Sequence, residues 1–176
     1  MIVINFNREK LLREALQSLA QQTGLGESKF EVIVVDNGSV DGSLSMLARD
    51  FPEARLVLNK DNRGFCEANN QGIAIARGEF IALLNNDAVA SPKWLAELLR
   101  GMDLTNRVGM VASKILVRDN PQVIDKVGHL IYWDGQNRGR ATGVIDQGQF
   151  EREEEVLWPD GCAAMYRKTM LDEVGG

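Results

Sequence analysis

The stretch Glu31-Val32-Ile33-Val34-Val35-Asp36-Asn37-Gly38-Ser39-Val40-Asp41-Gly42 decides the fold class. Val32, Ile33, Val34 and Val35 follow one another without polar alternation, so the strand they form needs cover on both faces. That is the condition of a central strand in a parallel sheet. The run ends in a carboxylate and dissolves into a polar loop with two glycines, where such a strand hands over to a helix.

Working outward, the same unit repeats. Residues 1–5 read as a short buried strand. Asn7 is the expected N-cap of a helix over 8–22, in which Leu12, Ala15, Leu16 and Leu19 recur at helical spacing. On the other side, a helix over 43–50 leads through Phe51-Pro52 to a strand over 55–59. Asp61-Asn62-Arg63-Gly64 is a turn. Residues 65–76 follow as a helix with Ala68, Gly72, Ile73 and Ala76 on a small-residue face, stopped by Arg77-Gly78. An unbroken apolar strand over 80–84 runs into Asn85-Asn86-Asp87. Ser91-Pro92 opens the next helix, Trp94, Leu95, Leu98 and Leu99 continue it, and a fifth strand covers 108–112. Apolar strands alternating with helices predict an α/β fold with a mainly parallel central sheet, flanked by helices and joined by right-handed crossovers.

Residues 114–156 turn Gly-, Asp- and Asn-rich, with a hairpin-like Tyr132-Trp133-Asp134-Gly135, and read as a variable flap. The acidic run 151–155 within them is a solvated face. Strand character returns over 157–166, and a helix begins at 169–174. At 176 residues the chain is expected to hold a single domain, divided at about residue 112. Both ends read as cut, since apolar Ile2-Val3-Ile4 follows Met1 directly and Gly175-Gly176 follows an amphipathic stretch.

With 44% hydrophobic and 26% charged residues, the composition excludes disorder as the main state, and the 17 glycines follow no collagen period. Twenty Lys and Arg against 25 Asp and Glu leave a net charge of -5 and no basic run, which argues against nucleic acid as a large partner. A nucleotide would have to be held locally, by backbone amides, a helix terminus or a cation. Cys66 and Cys162 stand far apart and His129 is the sole histidine, so neither a zinc site nor a disulfide framework follows, and a reducing compartment fits. No apolar stretch approaches the roughly 20 residues of a membrane span, and no signal peptide opens the chain. It reads as cytoplasmic.

Polar clusters close the second, third and fourth strands: Asp36-Asn37-Gly38-Ser39, Asn62-Arg63-Gly64 and Asn85-Asn86-Asp87. Each alone is an ordinary turn or N-cap. Together they occupy the edge of a parallel sheet where ligands collect. Asp87 follows Leu83-Leu84 closely, so a rigid strand end delivers its carboxylate. One such group suffices for Mg²⁺ or Mn²⁺ when phosphate oxygens complete the shell. GxGxxG, GxxxxGK[ST] and GxSxG are all absent, which argues against dinucleotide-dependent redox chemistry, P-loop phosphotransfer and acyl-transfer hydrolysis. His129 stands in weakly patterned sequence and reads as structural.

The run Val32 to Ser43, Asn62-Arg63-Gly64-Phe65 with Ala68-Asn69-Asn70-Gln71-Gly72, Ala76-Arg77-Gly78 and Leu83-Leu84-Asn85-Asn86-Asp87 together resemble family 2 glycosyltransferases of the GT-A fold, and most the bacterial rhamnosyltransferase-like branch. The resemblance covers residues 2–90 and resumes at 161–176, where Gly161-Cys162-Ala163-Ala164-Met165-Tyr166-Arg167 is similar to the family's acceptor-side strand. It implies a nucleotide-sugar-binding half over 1–112 and part of an acceptor-side half over 113–176. It also implies inverting transfer from a dTDP- or UDP-sugar, dTDP-rhamnose among them, to a hydroxyl of a glycan or lipid-linked acceptor in polysaccharide or cell-envelope glycan synthesis. Asp36 would hydrogen-bond the base, with Asn5, Asn7, Asn37 and Ser39 lining the nucleoside pocket. Arg63, Asn69, Asn70, Asn85 and Asn86 are further donor-side candidates. Asp87 would bind Mg²⁺ or Mn²⁺ on the diphosphate, and Asn85 stands where the stricter Asp-x-Asp motif has an acid. The family's base lies in a Glu-Asp pair after a Gly-Gly-Phe-Asp stretch and is expected beyond Gly176. Asp160 is the internal alternative, with a turn before Gly161 as its other explanation. A full-length protein of this kind is expected at the inner face of the membrane. The competing functions are a sugar-phosphate nucleotidyltransferase, whose basic Gly-rich loop Asn5-Phe6-Asn7-Arg8 does not supply, and a non-catalytic nucleotide-binding module.

Overall fold

The computed structural model describes residues 1–105 and 107–175. Gly176, the last residue of the acceptor-side resemblance, lies outside the described residues. The order is β1 (Ile2–Asn5), α1 (Glu9–Ala20), β2 (Ile33–Asp36), α2 (Ser43–Asp50), β3 (Arg55–Leu58), α3 (Phe65–Ile75), β4 (Phe80–Leu84), α4 (Trp94–Asp103) and β5 (Met110–Ala112). Then come β6 (Lys114–Val117), β7 (Asn120–Val127), β8 (His129–Ile131), β9 (Asn137–Gly139), β10 (Ala163–Arg167) and α5 (Lys168–Val174).

The central sheet has the order β3-β2-β1-β4-β10-β5. β1 to β4 run parallel, with Ile2 opposite Ile33 and Asn5 opposite Asp36. β10 inserts antiparallel between β4 and β5. The chain moves outward from β1 through β2 to β3 and then returns to place β4 on the other side of β1. The switch point of the sheet therefore lies between β1 and β4, and the loops after those strands diverge there to leave a crevice.

The unbroken apolar runs are explained by two cores. Val3, Val34, Ala82 and Leu84 face one way, onto α1, α2 and α4 through Leu12, Leu16, Leu19, Met46, Leu47, Leu95, Leu98 and Met102. Ile2, Ile33, Val35, Ile81 and Leu83 face the other way, onto α3 through Ala68 and Ile73. Alternate residues of each strand thus serve opposite layers, and polar side chains enter β1 and β2 only at their carboxyl ends, at Asn5 and Asp36.

Some expectations change. Asn7 does not cap α1: the helix starts at Glu9 with Arg8 before it and no side-chain cap. Asn7 instead takes a left-handed φ of 51°, which Asn tolerates, and its Oδ1 accepts from the Val40 N–H at 2.8 Å. The flap is folded, with β6 paired to β7 and β8 to β9, both antiparallel. Tyr132-Trp133-Asp134-Gly135 closes the β8–β9 hairpin, the Tyr132 N–H donating to Gln136 O at 3.0 Å. Of the strand expected over 157–166, only 163–166 pairs with the sheet, and the pairing runs on to Arg167. Among the described residues, no helix is long and apolar enough to cross a membrane.

Candidate active site at the carboxyl edge of the sheet

Asp36 ends β2 and is buried, with 1% of its surface exposed. Its Oδ1 accepts the Ser39 N–H at 2.8 Å, and its Oδ2 accepts Asn5 Nδ2 at 2.9 Å. No ion-pair partner for it occurs among the described residues. Burial penalises a carboxylate, and here only neutral dipoles offset the cost. Asn5, also fully buried, continues the connection: its Oδ1 accepts from Asn86 Nδ2 at 3.0 Å. Hydrogen bonds thus run from Ser39 through Asp36 and Asn5 to Asn86, across the ends of β2, β1 and β4, and cross the switch point between β1 and β4. Asn7 joins through its N–H, which donates to Ser39 Oγ at 2.9 Å.

A second group of amides fixes the neighbouring loop. Asn37 Nδ2 donates to Asn62 Oδ1 and to Gly64 O, both at 3.2 Å. Asn59 Nδ2 donates to Asn37 Oδ1 and to Gln71 Oε1, both at 2.8 Å. Asn59 and Gln71 escape a sequence reading because one directly follows β3 and the other sits inside α3, neither with a spacing signal. Gly38 has φ 82°, and a Cβ there would stand 3.0 Å from Lys60 O, so the loops after β2 and β3 approach too closely for any side chain.

Asp87 is exposed and sits in a turn closed by the Ala88 N–H donating to Asn85 O at 3.1 Å. The turn is tied to the sheet by the Asn85 N–H, which donates to Cys162 O at 2.8 Å just before β10. From the flap, Arg118 Nη1 donates to the Asp87 carbonyl at 3.0 Å, while Nη2 pairs with Glu14 on α1. Among the described residues no three His, Cys, Asp or Glu side chains gather into a cation cage. One exposed carboxylate fits a hard cation that draws the rest of its shell from phosphate and water, and does not fit a site closed by protein ligands.

The other candidates are spread more widely. Arg63 is exposed and pairs with Asp61 at 2.8 Å. Asn69 is buried in α3, its Nδ2 donating to Phe65 O at 3.0 Å. Asn70 lines a shallow depression with Ile73 of α3 and Leu171 and Asp172 of α5. Asp160 is the turn residue before Gly161, its Oδ1 accepting the Cys162 N–H at 2.8 Å. It does more than turn the chain: its Oδ2 lies 3.0 Å from His129 Nε2 and 3.2 Å from Lys126 Nζ. His129, expected to lack organised neighbours, also meets Asn137 Oδ1 at 2.9 Å and stacks on Trp158. Burial opposes the charge on Asp160, but the Cys162 N–H, His129 and Lys126 outweigh it and hold the carboxyl below its usual range. The adjacent Cys162 thiol is pushed up to about 11, first by burial and then by the charges of Asp160 and Asp87.

Over residues 1–175 the sequence matches the model of the family described as "Glycosyl transferase family 2". An uncharacterized glycosyltransferase of Nostoc sp. is 30% identical over 99% of this chain and 52% of its own length. A mannosyltransferase of Pyrobaculum calidifontis, solved in complex with GDP-Man and Mn²⁺, superposes with a TM-score of 0.69 at 22% identity, covering 99% of this chain and 46% of that one. TarS 1-349 of S. aureus in complex with UDP-GlcNAc gives 0.67 at 22%, covering 98% and 46%. The fold is GT-A. The chain spans about half the length of these relatives.

Proposed function

The chain belongs to glycosyl transferase family 2, and from that premise we propose that it forms the donor-binding part of an inverting enzyme that moves a hexosyl or rhamnosyl unit from a nucleoside-diphosphate sugar to an acceptor hydroxyl. The observation that carries this reading is the buried Asp36, uncompensated by any cation among the described residues and linked through Asn5 to Asn86 beside Asp87. A buried carboxyl that meets only neutral donors, beside the switch point of the sheet where ligands collect, supports a binding centre there.

Asp36 has lone pairs left after its bonds to Asn5 and Ser39, and these suit the N–H of a pyrimidine base. A dTDP- or UDP-sugar is therefore the proposed donor, with dTDP-rhamnose the candidate that the rhamnosyltransferase-like sequence favours. The donors carried by the two structural neighbours are nucleoside-diphosphate sugars of this general class. Asn5, Asn7, Asn37 and Ser39 hold the nucleoside pocket in shape, and Arg63, Asn69, Asn70, Asn85 and Asn86 are secondary donor-side residues. Asp87 would hold Mg²⁺ or Mn²⁺ on the diphosphate. When bound, such a cation offsets the charge that develops on the departing phosphate.

The base that takes the acceptor proton is proposed in a Glu-Asp pair beyond Gly176. Asp160 is a poor one, because Cys162, His129 and Lys126 engage both its oxygens and lower its basicity. The acceptor is a glycan or lipid-linked hydroxyl in polysaccharide or cell-envelope synthesis at the inner membrane face, with residues 113–176 on its side.

Calorimetric titration with UDP, dTDP and GDP, with and without Mn²⁺, tests the reading. Binding of a pyrimidine nucleotide is expected, strengthened by Mn²⁺. Asp36→Asn should weaken binding in either condition, whereas Asp87→Ala should remove only the gain from Mn²⁺. Failure of all the nucleotides to bind would defeat the assignment.

A further inference from the structure

The geometry points to Arg118 as a positioning residue that sets the backbone of the Asp87 turn, an inference that rests on the reading of Asp87 as the cation's ligand. Asp87 is the third residue of the turn whose ends are joined by the Ala88 N–H and Asn85 O at 3.1 Å. That bond holds the peptide between Asp87 and Ala88 on its N–H side only. Its carbonyl oxygen would otherwise face water, and the peptide plane, with the Asp87 side chain beside it, could tilt. Arg118 Nη1 fixes it by donating to Asp87 O at 3.0 Å.

The guanidinium is itself held. Its Nη2 pairs with Glu14, and Glu14 stands on α1, whose Leu12, Ala15, Leu16 and Leu19 are packed into the core. An exposed pair of this kind adds little to stability, so the Arg118–Glu14 contact is poorly explained as a staple of the fold. The planar fork of Arg can serve a carboxylate and a carbonyl at once in fixed geometry, which a Lys ammonium does less well. Arg118 lies on the β6–β7 turn, so the flap governs the donor side through this contact, besides any role toward the acceptor.

The test measures UDP affinity with Mn²⁺ and with a chelator, for the unaltered chain, R118M, R118K and E14Q, using dTDP or GDP if UDP does not bind. Arg118→Met should cut the strengthening by Mn²⁺ about tenfold, the usual consequence of losing one charged hydrogen bond, and leave affinity in chelator unchanged. Arg118→Lys should recover part of it, and Glu14→Gln, which frees the guanidinium without removing it, should fall between. Should R118M fold poorly, the comparison of E14Q with R118K carries the same prediction. Full strengthening by Mn²⁺ in R118M and E14Q, or an equal loss in chelator, would overturn the role. If the unaltered chain binds none of the nucleotides, the donor-site reading itself fails and this inference goes with it.

Discussion

Asp36 and Asp160 are carboxylates withdrawn from water at the same edge of the sheet, and they are compensated in opposite ways. Neutral donors alone serve Asp36, whereas Asp160 has Lys126, His129 and a backbone N–H. The second pattern belongs to a structural carboxylate. Asp160 titrates below its usual 3.8 in the folded chain, so its charged form stabilises the fold. That contribution is present above the unfolded value and disappears as pH falls through the lower folded one. Asp160→Asn is accordingly expected to cost about 1–3 kcal/mol near pH 7, the gap narrowing below about pH 4. Denaturant melts of both chains across pH 3–7 check this; a gap that stays constant into acid would mean that the charge contributes nothing. From sequence, Asp160 was legible as a turn residue through the Gly that follows it. Its partners were not, since Lys126 and His129 lie more than thirty residues before it and only the folded flap brings them close.

At the scale of elements, legibility follows how a segment is buried. β1, β2 and β4 lie between two helical layers and are apolar up to Ile4, Val35 and Leu84, so their sequence alone announces them. β10 is apolar too, but nothing in Ala163-Ala164-Met165 distinguishes an antiparallel insertion from another parallel strand. In the flap, β6 carries a continuous apolar run too, Ile115-Leu116-Val117, yet Leu116 and Val117 are exposed, so there an apolar run does not mark a strand covered on both faces. α3 gives the sharpest case of a residue chosen by packing over propensity. A Cβ on Gly72 would stand 2.7 Å from Ile2 Cγ2, and Ile2 is fully buried in β1. Gly72→Ala gains about 1 kcal/mol of helix propensity and incurs about 1–3 kcal/mol of overpacking. The net expectation is a loss of roughly 1 kcal/mol, or a fall of about 2–4 °C in Tm. A rise in Tm on calorimetry would show that α3 can back away from β1 at little cost.

Across the whole molecule, the two parts of the chain are held by different forces. Of the buried apolar side chains among the described residues, Ile124 alone comes from the flap; the rest lie in the layers around the central sheet. The flap has instead the antiparallel ladders β6–β7 and β8–β9 and a set of ion pairs, Lys114 to Asp146 and Glu151 and Arg140 to Glu154 within it, Lys126 to Asp160 and Arg100 of α4 to Glu153 at its borders. The acidic run 151–155 is thus exposed, yet partly paired. Apolar burial is insensitive to moderate salt, while exposed pairs are screened once the Debye length falls to about 3 Å near 1 M. Amide hydrogen exchange should therefore show β1, β2 and β4 opening only with global unfolding and residues 114–157 opening at lower free energy. Raising NaCl from about 0.05 to 1 M should accelerate exchange in 114–157 and leave the central strands unchanged. If exchange in both parts responds alike, the flap is secured by packing. A salt response confined to the flap would mean that the Arg118 contact to the Asp87 turn is borne by the less stable part of the chain, so that the proposed cation site at Asp87 loosens with ionic strength before the proposed nucleoside pocket around Asp36 does.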